Sequence, residues 1–317
     1  MHHISNKKFL LSICIPTVKE RSAIFCKVLE SIVDQEEFLS GSVQICISCN
    51  STNNESEEFI HYLKNKFPDF IKYTKQKRNI YDKNFQAVLS MADGEYLKLN
   101  NDNLIHKKGS LLYLLQEIKS NKEKLPMIFS TNIYSSSKSL DEFIKAISYN
   151  VTYIGGHGFW KKDLPDIINL NQVTKQLWQV EAIFYLVSKY GKAEIRPSKL
   201  MKTLTVGSKG GYPFNKVFID SYLTVLNNAL KNKVISAPTF KDEKKKLLLN
   251  FCAKWAGLTI ARVGSYHKKR DHFNYLIKWY KDTPFVLFLY VFFVLLHSIK
   301  QIQNKFIHKF QQYFFQF

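Results

Sequence analysis

Acidic residues are the scarce ones in this chain: 26 Asp and Glu stand against 46 Lys and Arg in 317 residues, a formal net charge of +20. An imbalance of that size implies an anionic partner, whether nucleic acid, anionic lipid or a phosphorylated substrate. Cysteine is scarce too. Cys14, Cys26, Cys46, Cys49 and Cys252 are the only five, and their scatter suits free thiols in a reducing compartment rather than a disulfide scaffold. Cys46 and Cys49 form a CxxC, but no second pair completes a tetrahedral zinc site, and their β-branched surroundings read as a strand. No stretch reads as a secretory signal, and no internal repeat or long low-complexity linker is visible. Zinc-finger, RRM and helix-turn-helix patterns are also missing, which weakens the nucleic-acid reading of the charge. Long apolar runs are lacking as well. The twelve residues Phe285–Leu296 carry no charge, but as a helix they reach only about 18 Å against roughly 30 Å of hydrocarbon, so no span is expected there.

Apolar residues make up 45% of the chain and aromatics 15%, enough to bury a core and to exclude wholesale disorder. Strand-like and helix-like segments alternate through the first half. Short apolar runs predict strands at Leu10–Pro16, Val43–Cys49, Ile71–Thr74, Glu95–Leu99 and Met127–Ser130. Between them, apolar residues at helical spacing predict helices over Ser22–Gln35, Glu55–Lys66, Lys83–Met91 and Ser110–Ile118. The alternation argues for an α/β fold with a mostly parallel, doubly wound sheet. Ligands of such sheets bind beyond the carboxyl ends of the strands, so the loops at Pro16–Glu20, Cys49–Asn54 and Asn100–Asn103 should converge on one crevice. Farther along, Ile154–Trp160 reads as a glycine-rich loop, Trp178–Tyr190 as a helix stopping before Gly191, and Phe214–Lys231 as another helix. His157, inside the glycine-rich loop, has a titration range suited to proton transfer.

The charge is uneven. From Lys231 to Phe317 there are 16 Lys and Arg against 4 Asp and Glu, a net of +12. This predicts a domain over residues 1–230 and a basic, amphipathic helical region over 231–317. In the tail, Ile299, Ile302, Phe306, Phe310 and Phe314 form one stripe and Lys300, Lys305 and Lys309 lie elsewhere, the pattern of a helix at a membrane interface. The competing reading packs that helix on the rest of the chain or on another subunit of a homo-oligomer.

Four segments taken in order carry a family resemblance: LSICIPT, the polar turn after the second strand, RNIYDKNF and GEYLKLNNDN. Together they resemble family 2 glycosyltransferases of the GT-A fold over about residues 9–200, in particular the abequosyltransferase-like bacterial enzymes that build O-antigen or capsule repeat units. The resemblance implies a nucleotide-sugar donor, a divalent cation (Mg²⁺ or Mn²⁺) and an acidic Asp-x-Asp motif after a Gly-Glu-Tyr strand. At that motif the chain reads Asn100-Asn101-Asp102-Asn103, so Asp102 supplies the one carboxylate and Asn100 offers a neutral oxygen for metal. The cation would bridge the diphosphate oxygens as a Lewis acid.

The same resemblance implies donor contacts at Pro16, Thr17, Glu20, Asn50, Arg78, Asp82, Asn84 and Asn101. Asn50 stands where the family has an Asp that reads the base, and Arg78 can pair with phosphate. Glu181, near the start of the helix before Gly191, is the expected general base of an inverting transfer. A lipid-linked or oligosaccharide acceptor and a peripheral position on the cytoplasmic face of the bacterial inner membrane follow from the same reading. The rival readings are a nucleic-acid-binding basic protein and an inactive GT-A scaffold.

Overall fold

The computed structural model describes residues 9–17, 22–50, 57–80, 82–130, 132–174, 176–204, 213–261 and 274–314. The strands are β1 (Leu11–Thr17), β2 (Val43–Cys49), β3 (Ile71–Lys75), β4 (Tyr96–Leu99), β5 (Leu104–His106), β6 (Met127–Ser130), β7 (Ser135–Ser137), β8 (Gly158–Trp160), β9 (Ala193–Pro197) and β10 (Met201–Thr203). The helices are α1 (Ser22–Val33), α2 (Glu36–Leu39), α3 (Glu57–Lys66), α4 (Lys83–Ser90), α5 (Ser110–Ser120), α6 (Leu140–Ile147), α7 (Leu164–Ile168) and α8 (Trp178–Tyr190). They continue with α9 (Tyr222–Lys231), α10 (Ala237–Lys246), α11 (Ala253–Ile260), α12 (Asn274–Tyr280) and α13 (Pro284–Phe314). Two compact units result, Met1–Leu204 and Thr205–Phe317. The division therefore falls before α9, not after it as the charge distribution had suggested.

The main sheet runs β3-β2-β1-β4-β8. Its first four strands are parallel, as the alternation requires, with Ile13 opposite Ile45 on one side and Lys98 on the other. Because the sheet is covered on both faces, its central strands are buried along almost their whole length rather than at alternate positions. Leu11, Ile13 and Ile15 share a core with Phe25, Val28 and Leu29 of α1 and with Leu111, Leu114 and Ile118 of α5. The opposite face holds a polar seam instead. Ser12 Oγ donates to Gln44 Oε1 (2.9 Å), and Gln44 Nε2 donates to Asp93 Oδ2 (3.0 Å). Gly94 lies so close to Ser12 that a Cβ there would come within 2.6 Å of the Ser12 nitrogen.

The stretch expected to be a glycine loop contains a strand. Residues 158–160 form β8 and pair antiparallel with β4, Gly158 opposite Lys98 and Trp160 opposite Tyr96. Gly158 makes this possible, since a side chain there would run into the Tyr96 phenol. Two smaller sheets complete the unit: β6-β9-β7, and the antiparallel ribbon β5-β10.

In the second unit the apolar run is not a short piece. α13 is one helix of 31 residues, and Pro284–Asn304 within it has a mean hydropathy of 2.0. By length and composition alone those 21 residues are enough to cross a bilayer. Counting only uncharged residues stopped at Leu296 and underestimated the helix, because His297, Ser298 and the residues after them continue it without a break.

Candidate active site

The carboxyl ends of β1, β2 and β4 meet as expected. At the end of β1, the Thr17 hydroxyl donates to Asp102 Oδ2 at 3.4 Å. The Thr17 carbonyl accepts from the Asn50 backbone N–H (2.8 Å) and from Asn84 Nδ2 (3.2 Å). Asn84, buried at the start of α4, also donates to the Ser48 carbonyl (2.9 Å) and accepts from Ser48 Oγ (2.6 Å). Its amide is thus spent on locking the ends of two strands together, and it shapes the crevice without facing it. Asn50 accepts from the Ile80 N–H at 3.3 Å, which ties the loop after β2 to the loop before α4.

Arg78 is exposed in the loop after β3, and Asp82 precedes α4 half-buried. Burial pushes the Asp82 carboxyl up to about 6, so it titrates near neutrality. Pro16 lies in β1, while Glu20 lies outside the described residues. Asn101 is half-buried beside Asp102, and its carbonyl accepts from Asn100.

Asn100 does not face the crevice. Its Nδ2 donates to the carbonyls of Asn101 (3.0 Å) and Leu104 (3.1 Å), which leaves Oδ1 as an acceptor 2.9 Å from His106 Nε2. Burial, with the Lys98 charge as a lesser cause, lowers the His106 pKa to about 3, so the ring is neutral. Nε2 therefore carries the proton, and Nδ1 accepts from Ser110 Oγ (3.3 Å), which is itself within 3.3 Å of Gln35 Nε2. This buried chain, Gln35–Ser110–His106–Asn100, holds the turn that presents Asp102. Sequence reading missed it because its members lie up to 75 positions apart.

The fit to a divalent cation follows from the same bonds. The Asn100 oxygen expected to serve as a ligand is committed to His106. Among the described residues no three His, Cys, Asp or Glu side chains cluster as a metal cage. A lone carboxylate at Asp102 fits a cation only where phosphate oxygens and water supply the rest of its shell.

Lys98 is the other unanticipated residue. It is fully buried in β4, with Nζ donating to the carbonyls of Gly155 (2.7 Å) and Leu99 (3.2 Å). Burial lowers its pKa to about 7, against a smaller opposing effect of Cys14. A lysine inside the four-residue strand YLKL was the available signal, since a strand covered on both faces has no outlet for a charge. Gly155, which Lys98 holds, borders a cavity of about 350 Å³ lined also by Leu104, Tyr153, Ser198, Met201, Lys202 and Thr203. A Cβ at Gly155 would meet Leu104 Cδ2 at 2.8 Å and the Tyr153 hydroxyl at 2.9 Å, so a larger residue there would have to displace those side chains. Asn103 and Leu204 join the cavity to the Asp102 turn through two bonds, of 2.8 and 2.9 Å.

His157 and Glu181 are placed differently from the crevice residues. His157 is fully buried, its Nε2 donating to the Val151 carbonyl at 2.6 Å and its ring stacked on Phe159. Burial brings its pKa down to about 4. A ring so enclosed braces the loop before β8 and has no open path to a sugar. Glu181, in the first turn of α8, accepts from the N–H groups of Val173 (2.7 Å) and Thr174 (3.0 Å) and from Thr174 Oγ1 (3.1 Å). Burial raises its pKa, with those three donors opposing. Near the start of α8, Gln179 Nε2 also donates to the Thr152 carbonyl at 3.4 Å.

Comparison with known proteins identifies the family and the fold. Residues 12–175, more than half of the chain, match the family model described as Glycosyl transferase family 2. Abequosyltransferase RfbV of Salmonella typhimurium is 34% identical over 106 residues, which is 33% of this chain and 31% of that protein. That alignment therefore spans about a third of either one. Among solved structures, TarS 1-349 of S. aureus superposes with a TM-score of 0.60 at 12% identity, covering 92% of this chain and 88% of that one. The mannosyltransferase PcManGT from Pyrobaculum calidifontis, in complex with GDP-Man and Mn²⁺, gives a TM-score of 0.55 at 11% identity, covering 94% and 88%. At such identities the likeness speaks for the fold, which is GT-A.

Proposed function

The chain belongs to glycosyl transferase family 2 and is a glycosyltransferase, and from that premise we propose that it moves a sugar from a nucleoside-diphosphate donor onto a lipid-linked glycan in surface-polysaccharide assembly, with inversion. The observation that carries this reading is the meeting of Thr17 and Asp102 at the carboxyl edge of a parallel sheet, where doubly wound folds bind nucleotides. Solved neighbours named for UDP-GlcNAc and GDP-Man complexes support the donor class.

In this scheme the donor diphosphate lies beside Asp102. Asn50 and the exposed Arg78 contact base and phosphate, and Asp82 and Asn84 shape the nucleotide pocket. Asp102 is the residue that would hold a divalent cation, which when bound would offset charge on the leaving diphosphate. Glu181 is assigned as the general base. Burial raises its pKa, which makes it a stronger base than an exposed carboxylate, and the bonds from Val173 and Thr174 hold the carboxylate in one orientation. The basic second unit supports a place at the cytoplasmic face of the membrane, where lipid-linked acceptors are found.

One observation favours a second reading, an inactive scaffold: the motif has a single acid, and Asn100 is turned inward. A panel of UDP-, GDP-, CDP- and dTDP-sugars, tested by thermal shift with and without Mn²⁺ and then by donor turnover, separates the two. The enzyme reading expects stabilisation by one nucleotide class, and turnover that falls at least about a hundredfold in Asp102→Ala. Glu181→Gln should lower kcat while leaving nucleotide binding in place. Binding without turnover of any donor would favour the scaffold.

A further inference from the structure

We infer that α13 lies in the plane of an anionic membrane surface, docked through one exposed apolar stripe, and does not cross the bilayer. The inference deepens the membrane-surface placement proposed above and rests on it, but it does not depend on the catalytic assignment.

The stripe is formed by Phe285, Phe288, Phe292, Leu295, Ile299 and Ile302, all between 41% and 69% exposed. Their spacing of three and four places them along one side of the helix. Val291 and Leu296, also exposed, widen the stripe on either side. A two-stranded coiled coil needs only a narrow seam, so this breadth favours a lipid surface over a second copy of the helix.

The opposite side is committed to protein. Val294 and Ser298 are buried, and Ser298 Oγ lies 3.5 Å from the Gly257 carbonyl of α11. The two backbones approach so closely that a Cβ at Gly257 would lie 2.6 Å from His297 Cβ. This contact falls in the middle of the apolar stretch Pro284–Asn304, so a helix crossing the bilayer would carry α11 into the hydrocarbon. α11 bears the exposed Lys254, and the helical segments before it carry Lys244, Lys245 and Lys246. Drawing those charges into lipid is strongly unfavourable, whereas leaving them at the headgroups is favourable. The net +12 of Lys231–Phe317 complements an anionic leaflet.

The test uses full-length protein with phosphatidylcholine vesicles, with or without about a third phosphatidylglycerol. Wild type should float with the anionic vesicles, weakly with the neutral ones, and be released by alkaline carbonate, as surface proteins are. The double variant Phe288→Asp/Leu295→Asp should lose at least about tenfold in vesicle partitioning, with donor turnover and helical circular dichroism unchanged. Resistance of wild type to carbonate would overturn the in-plane placement in favour of a span. Undiminished flotation of the variant would overturn the stripe. A wild-type dimer that ignores vesicles, and that the same variant dissociates, would assign the stripe to a second copy and overturn the proposal. Failure of the transferase reading would show separately, as absent turnover in a protein that still floats.

Discussion

Replacing Asn100 by aspartate would restore the acid that the family motif carries, and the simple expectation is a better metal site. The bonding around Asn100 predicts the reverse. Its Nδ2 donates to two carbonyls, Asn101 at 3.0 Å and Leu104 at 3.1 Å. In Asn100→Asp an oxygen takes that place, so two acceptors lose their donor and face a third acceptor. A buried polar group left unpaired costs about 1–3 kcal/mol, and two give about 2–6 kcal/mol. A carboxylate fully out of water adds a desolvation cost, which a newly charged His106 at 2.9 Å would partly offset. We therefore expect a loss of about 4 kcal/mol, which for a protein of this size lowers Tm by on the order of 10 °C. Differential scanning fluorimetry in EDTA measures the loss, and Mn²⁺ titration of both proteins measures any gain in affinity. A variant as stable as wild type that binds Mn²⁺ more tightly would refute the reasoning, because it would mean that residue 100 faces the crevice.

Lys98 predicts a pH dependence of stability. Its folded pKa of about 7 lies below the unfolded value of 10.5, so the folded state binds fewer protons in that window and stability rises with pH, by up to about 1.4 kcal/mol per unit. Urea midpoints from pH 7 to pH 8, a range below the point where ionisation of the Cys14 thiol in the unfolded chain begins to oppose, should climb in wild type and stay flat in Lys98→Met; parallel curves would remove the buried charge from the account. Gly158→Ala should cost on the order of 3 kcal/mol, since the added methyl meets the Tyr96 ring in a fully buried strand pair. The cost is read from urea unfolding, and a loss under about 1 kcal/mol would mean that β8 can shift away from β4 without penalty.

Much of the first unit follows from local pattern. Val43–Cys49, Met127–Ser130 and Trp178–Tyr190 have the expected limits, because apolar periodicity, turn residues and the Gly191 cap act over a few positions. The parallel order of β1 to β4 follows from alternation with helices, since each crossover must return to the same edge of the sheet. The meeting of Thr17 with Asp102 was likewise readable, because strand ends on one edge of such a sheet converge. What the tertiary structure alone decided is which way the side chains turn. Asn100 points to His106, His157 packs into the loop before β8, and Glu181 is held by Val173 and Thr174. These choices depend on partners distant in sequence or on backbone bends that no window of residues reports. The same holds for β8, a strand that exists only because Gly158 fits against Tyr96, and for α13, whose buried side is defined by Gly257. Periodicity tells a residue's face on its own element, and only packing decides what that face meets.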